Sequence, residues 1–167
     1  MPLPLIVGFD HAVSGGDESV AWVGAVLNRV LSEVECKIWL NTLIHDQVTE
    51  LKQVYPKAQY CVDATAEGGK EAIGFFERAG LKVTGIDFGK SKQSLMITLK
   101  NSMQQGKVKF ADEVLRTQLA HYKFRESATK GRYKFGEKGT PDDRVDAFAL
   151  ANWLANQPVH EFAAFVG

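Results

Sequence analysis

The chain has 167 residues, 45% of them apolar and 24% charged, enough to build one globular domain around a sizeable core and too apolar for a disordered or fibrous chain. Its 20 Lys and Arg balance its 20 Asp and Glu, and a net charge of zero argues against indiscriminate coating of nucleic acid. No run of about 18 apolar residues occurs, which excludes a membrane-spanning helix, and Met1-Pro2-Leu3-Pro4 lacks the basic and apolar stretches of a signal peptide. A cytoplasmic protein is expected, in the host cytoplasm if the source is viral.

Leu5-Ile6-Val7-Gly8-Phe9-Asp10 reads as a buried strand that ends in an acid. Val13 to Asp17 is a turn, and β-branched runs from Val20 to Val30 and from Glu35 to Leu43 make two more strands. Short links between three successive strands predict an antiparallel meander. The period then lengthens. Val48, Leu51 and Tyr55 mark a short amphipathic helix stopped by Pro56. Gln59 to Asp63 is a fourth strand, again closed by an acid. A helix over Gly69–Ala79 is capped by Gly80, a strand over Leu81–Phe88 follows, and a helix over Ser91–Gln105 closes on Gly106. Val108 to Phe110 can add a short strand, and a helix runs from Asp112 to about Phe124. The stretch 126–140 is basic and glycine-bearing, with Arg132-Tyr133-Lys134-Phe135 as one arm of a hairpin. A last helix extends from about Pro141 to Asn156. The order β-β-β-α-β-α-β-α-α predicts a mixed five-stranded sheet flanked by helices, in a single domain over residues 1–167.

Cys36 and Cys61 lie inside apolar runs without partners at ligand spacing, and read as small buried hydrophobes. Leu95, Leu99 and Met103 have the spacing of a helix core stripe. The charges are segregated along the chain. Residues 1–81 carry 6 Lys/Arg against 11 Asp/Glu, residues 82–138 carry 13 against 5, and residues 139–167 carry 1 against 4. An acidic pocket beside a basic shelf suits a nuclease, with carboxylates for cations and basic side chains for phosphates. A solvated face would give the same pattern.

The acids stand out by position. Asp10 closes the first strand and Asp63 the fourth, and these strands are expected to be neighbours. Asp142, Asp143 and Asp146 open the last helix. Carboxylates that converge repel one another, and hard divalent ions relieve that repulsion. Two such ions about 4 Å apart can activate a water and stabilise the leaving oxygen of a phosphodiester. Each acid also has a plain structural explanation. Asp10 can begin a turn, and Asp63 can cap the loop before Ala64-Thr65. Thr140-Pro141-Asp142-Asp143 is a complete helix start, with Thr as N-cap and Pro at the first helical position. Asp146 is harder to explain that way. It shares a helical face with Asp143, beside the apolar stripe Ala147, Leu150, Ala151 and Leu154, so these acids should point toward the body.

At these residues the sequence resembles the nuclease domain of phage and viral large terminase subunits, of the RNase H-like superfamily. Gly8-Phe9-Asp10 with Gly15-Gly16-Asp17-Glu18-Ser19 is similar to that family's first motif, and Val62-Asp63-Ala64-Thr65-Ala66-Glu67-Gly68-Gly69 to its second. Phe88-Gly89-Lys90-Ser91-Lys92 resembles the basic stretch after strand five, and Asp142-Asp143-Arg144-Val145-Asp146-Ala147 the opening of the closing motif. The resemblance spans residues 5 to about 155. It implies an endonuclease that cuts concatemeric viral double-stranded DNA with two Mg²⁺ or Mn²⁺ ions. Asp10, Asp63 and Asp143 would be the core ligands, with Asp142 and Asp146 as supporting or alternative ones. Lys90, Lys92, Lys130, Arg132 and Lys134 would contact DNA phosphates. A packaging ATPase domain, a small terminase and a portal are implied partners, with a monomer expected in isolation.

Two departures qualify the resemblance. No Gly-x-x-x-x-Gly-Lys-[Ser/Thr] phosphate loop is present, so the ATPase part of such a subunit is absent from this sequence. His11 follows the first aspartate where the family often has a small residue or proline, and is expected to be a solvent-facing loop residue. Tyr133 and Phe135 are expected to pack rather than stack on bases. The rival readings are a RuvC-like Holliday-junction resolvase, an actin-like or sugar-kinase-like phosphotransfer domain, for which the chain is short, and a non-catalytic RNase H-like nucleic-acid-binding module. Such a module commonly loses its acids, and this chain keeps them.

Overall fold

The computed structural model describes residues 3–12, 18–122, 124–126, 133–135 and 142–158. Strands β1 (Leu5–Asp10), β2 (Glu18–Leu27) and β3 (Val30–Leu40) form the predicted antiparallel meander. Between β2 and β3 the chain turns on Asn28 and Arg29, both at positive φ, 51° and 62°. That is the backbone of a tight two-residue hairpin, which lets β3 begin at Val30 rather than at the expected Glu35.

Helix α1 (Ile44–Val54), strand β4 (Gln59–Asp63), helix α2 (Ala66–Arg78) and strand β5 (Lys82–Ile86) follow. Both β4 and β5 run parallel to β1. Gly80 and Gly106, at φ 73° and 66°, end α2 and the next helix, α3 (Phe88–Gln104), as expected. Helix α3 starts before the predicted Ser91, because Asp87 already accepts bonds through its carbonyl from the Lys90 and Ser91 N–H groups. A two-residue strand β6 (Val108–Lys109) pairs with β3 and gives the sheet a sixth strand. The order is β5-β4-β1-β2-β3-β6. Helix α4 (Glu113–His121) is capped by Asp112, which accepts from the Val114 and Leu115 N–H groups. It stops short of the predicted Phe124, which instead opens a small hairpin of β7 (Phe124–Glu126) and β8 (Tyr133–Phe135). Helix α5 (Asp143–Ala155) ends the described fold. The Val13–Asp17 turn, Thr140 and Pro141, and the side chains of Tyr133 and Phe135, lie outside the described residues.

Alternation along the strands divides the core into two layers. Val7, Phe9, Ala21, Val23, Tyr60 and Val62 face α1 and α2, packing on Val48, Leu51, Ala72 and Phe76. Ile6, Val20, Trp22, Leu31 and Cys61 face α3, α4 and α5, packing on Met96, Leu99, Leu115 and the length of α5 from Val145 to Leu154. Leu95 and Leu99 are buried as their spacing predicts, whereas Met103 at the end of α3 is exposed. Cys61 is buried, Cys36 partly so, and neither is bridged. Burial first, then Asp112, pushes the Cys36 thiol up to about 12, so it behaves as packing rather than as a nucleophile. Among the described residues no helix is long and apolar enough to cross a membrane.

Candidate metal centre

The site lies where β1 and β4 end. The pairing Gly8↔Cys61 and Phe9↔Val62, continued by one residue, puts Asp10 beside Asp63. Both acids share the parity of Ile6 and Cys61, so both fall on the α5 side of the sheet. Gly8 sets how close that helix lies. A Cβ at Gly8 would sit 1.9 Å from the Ala147 carbonyl oxygen and 2.6 Å from the Ala151 nitrogen. Helix α5 therefore rests backbone to backbone on β1, and its first turn reaches the acid end of the sheet. A glycine inside a strand marks such a close approach, and Gly8 is the one signal of it that the sequence carries beyond its place in a motif.

Asp146 points into the body as expected, with 8% of its side chain exposed. Its Oδ2 accepts from Lys92 Nζ at 2.7 Å, while its buried Oδ1 makes no hydrogen bond of ordinary geometry, with the Tyr122 hydroxyl close enough for the Asp146 charge to push that phenol up. Asp142 immediately precedes α5 but makes no capping bond through its side chain, so helix capping does not account for it. Its Oδ2 lies 3.8 Å from Lys92 Nζ. Asp63 does close a loop, as its plain structural explanation requires. Its Oδ1 accepts from the Thr65 N–H at 2.9 Å and the Thr65 hydroxyl at 2.5 Å. Thr65 Oγ1 in turn accepts from the Phe88 N–H at 2.8 Å, tying this loop to the start of α3. One oxygen of Asp63 remains outside those bonds.

The electrostatics report the crowding. Burial, then the charges of Asp146, Asp143 and Asp63, push the Asp10 carboxyl well above its ordinary value, with Lys92 opposing them. Burial raises Asp146 to about 7 against the pull of Lys92, helped by Asp142 and Asp143. Acids from β1, β4 and α5 thus act on one another at one place, which is the convergence expected from their positions in the sequence. The donor set is right for a hard divalent ion: carboxylates, one of them carrying a buried oxygen without a hydrogen bond of ordinary geometry. The cage is not closed, however. Among the described residues no group of three or more His, Cys, Asp or Glu side chains is arranged to hold a metal ion as it stands.

A second ion pair secures the helix start. Arg144 Nη1 donates to Asp112 Oδ2 at 2.6 Å, and Glu33 Oε2 accepts from the Ala111 and Asp112 N–H groups. Through these bonds β3, α4 and the first turn of α5 are joined. Nothing in the sequence hints at the pair, because its members are far apart in the chain.

The basic residues divide. Lys90 is 85% exposed and lies 3.8 Å from Asp87. Lys92, expected at phosphates with it, is turned into the acid cluster. Lys130 and Arg132 lie outside the described residues, as does the side chain of Lys134. His11 is not a solvent-facing residue. It is partly buried, stacks on Phe9 at 6.1 Å, and its Nδ1 lies 3.3 Å from Ser19 Oγ. Burial lowers its pKa, partly offset by Gln47 and Glu71.

No protein-family model and no curated protein sequence matches the chain. Solved structures match it in shape. The large terminase nuclease of thermophilic phage G20c, solved with bound magnesium, superposes with a TM-score of 0.79 at 22% identity, over 90% of this chain and 81% of that one. The large terminase nuclease domain of Thermus phage P74-26 does so at 0.72 and 22% identity, over 89% and 78%. A large terminase from a further thermophilic bacteriophage matches at 0.74 and 14% identity, over 92% of this chain but 41% of its own length. The fold is accordingly RNase H-like, the one the sequence resemblance implied, with one strand more than expected.

Proposed function

We propose that this chain is a metal-dependent endonuclease that hydrolyses phosphodiester bonds of double-stranded DNA, in the setting of viral genome packaging. The observation that carries the reading is the junction of Asp10, Asp63 and Asp146 with the start of α5, where like charges are forced together and a buried carboxylate oxygen lacks a hydrogen bond of ordinary geometry. The likeness to phage terminase nucleases supports it, as does the solution of the phage G20c nuclease with magnesium, cobalt and zinc. Asp10, Asp63 and Asp143 would hold two Mg²⁺ or Mn²⁺ ions, with Asp142 and Asp146 in support. When bound, such ions polarise the phosphate and lower the pKa of a water.

The chain's own residues prepare the place. Thr65 fixes one oxygen of Asp63, and the Gly8 contact and the Arg144–Asp112 pair fix the start of α5. The surrounding core keeps Asp146 buried and the other acids partly so, where charge interactions are stronger than in water. Lys90, with Lys130, Arg132 and Lys134, would bind phosphates on either side. A packaging ATPase domain is the natural partner, since the matching large terminase of the further thermophilic bacteriophage extends well beyond the part this chain covers, with a small terminase and a portal beyond it.

Incubation with supercoiled plasmid tests the reading. Nicking should require Mn²⁺ or Mg²⁺ and vanish in Asp10→Ala and Asp63→Ala. Cutting that survives those substitutions, or proceeds in EDTA, rules the mechanism out. A preference for four-way junctions over linear duplex would favour a junction resolvase on the same fold.

A further inference from the structure

The acid cluster has a cation of its own. Lys92 lies near the start of α3, with its Nζ 2.7 Å from Asp146 Oδ2 and 3.8 Å from Asp142 Oδ2. Only 23% of its side chain is exposed, against 85% for Lys90 two residues earlier. The Phe88 ring lies 5.2 Å from the same ammonium. Two carboxylates therefore face this ammonium from the start of α5, and one of them bonds it directly. An ammonium kept charged at that depth needs partners that repay its desolvation. Two further facts then share one cause. Asp146 gives one oxygen to Lys92 and leaves the other, beside the Tyr122 hydroxyl, without a hydrogen bond of ordinary geometry, and among the described residues the acids do not close around a common point. The ammonium occupies the place where a cation belongs.

We propose that Lys92 is the internal counter-ion of the acid cluster, a positioning residue that competes with a divalent ion for Asp146 and Asp142. The inference rests on the metal-centre reading above and adds to it. With Lys92 seated, Asp146 offers a metal one oxygen instead of two. Full occupancy requires the ammonium to leave Asp146 Oδ2. A DNA phosphate is the acceptor available to a displaced ammonium, so metal and DNA strengthen each other's binding. The same side chain thereby serves the acids before substrate arrives and a phosphate afterwards.

Calorimetric titration of Mn²⁺ without DNA tests this on the wild-type chain, Lys92→Met and Lys92→Arg. Removing an opposite charge within hydrogen-bond distance of a carboxylate shifts its cation affinity by about tenfold or more. Lys92→Met should therefore bind Mn²⁺ at least about tenfold tighter, while melting at a lower temperature in EDTA. Lys92→Arg keeps the charge and should stay within about twofold of wild type. Folding of Lys92→Met only with Mn²⁺ present would be the same result in its extreme form. Should Lys92→Met not fold under either condition, the wild type decides. Its Lys92 ¹⁵Nζ resonance, assigned by its loss in Lys92→Arg, should move as Mg²⁺ is titrated in. Unchanged or weaker Mn²⁺ binding by Lys92→Met, or a resonance indifferent to Mg²⁺, overturns the proposal and leaves the nuclease reading standing. A wild-type chain that binds no Mn²⁺ at all overturns both.

Discussion

Gly8→Ala is the sharpest test of how the acids are brought together. The new methyl carbon would stand 1.9 Å from the Ala147 carbonyl oxygen, where ordinary contact begins at 3.4 Å, so about 1.5 Å of separation must be found. Both nearby atoms are helix backbone, and the residues from Val145 to Asn152 are buried, so no side-chain rotation relieves the clash. Overpacking of a core costs about 1–3 kcal/mol, and a clash of backbone against backbone belongs at the upper end. At roughly 2–4 °C per kcal/mol for a chain of this size, Tm should fall by about 6–12 °C. The retreat of α5 would also carry Asp143 and Asp146 away from Asp10 by on the order of 1 Å, a misplacement worth about 10²-fold in rate. Thermal melting by circular dichroism measures the first effect, and plasmid nicking well below both melting points measures the second. Gly74→Ala is the control. Its Cβ would meet only the flexible Arg78 side chain, at 3.1 Å, and alanine is the better helix former. If Gly8→Ala melted within about 2 °C of wild type and cut at the same rate, α5 would not be seated on β1 as described.

Three further outcomes follow from the electrostatics. Asp10→Asn should abolish metal-dependent nicking and yet raise Tm in EDTA, because it removes a buried charge from like neighbours; a lower Tm in EDTA would contradict the repulsion. Asp146 releases its proton at about 7 when folded and near 3.8 when unfolded. The folded state binds more protons between those values, so the metal-free protein should lose stability as pH rises from about 4 to about 7. Divalent ions need the ionised form, so the gain in Tm from Mn²⁺ should be larger at pH 8 than at pH 5.5; equal gains would count against Asp146 as a participant. Asp112 behaves in the opposite sense. Burial opposes its ionisation, but Arg144 and the Leu115 and Val114 N–H groups prevail and lower its pKa. Its contribution is therefore present above 3.8 and lost as pH falls through the lower folded value. Asp112→Asn should cost about 1–3 kcal/mol at pH 7, the scale for losing a charge-assisted hydrogen bond in a partly buried pair, and far less near pH 2, as read by urea unfolding.

The parts of this fold that are legible in the sequence are those set by neighbouring residues. The alternation Ile6, Gly8 against Val7, Phe9 is local, so β1 and its terminal acid can be placed at once. The same holds for Gln59–Asp63 and for the glycines that stop α2 and α3. Pairings between distant segments leave little trace. The two residues of β6 become a strand through β3, with Leu31 opposite Val108, and a propensity too weak to count alone decides the strand number. Sequence places the start of α5 too early because Thr140 and Pro141 have the chemistry of a helix cap. The helix begins later, at Asp143, and Asp142 turns to Lys92 instead of capping. His11 looks solvent-facing from its neighbours in sequence, whereas its environment comes from Phe9, Ser19 and the burial they provide.

The same distinction explains why the acids are readable and their cation is not. An aspartate at a strand end announces itself, since strand ends are where a buried acid can meet others. A lysine in the first turns of a helix has many ordinary uses. It becomes part of the site only because α5 is pressed against β1 by the absence of a side chain at Gly8, which brings Asp146 to Lys92 across 54 positions of sequence. Removing the Gly8 contact should therefore loosen the Lys92–Asp146 pair as well as separate the acids. The Lys92 ¹⁵Nζ resonance in Gly8→Ala should then resemble that of an exposed lysine even in EDTA. A resonance unchanged from wild type would mean that the pair forms independently of the seat of α5, and that the close packing of helix on strand is not what assembles the site.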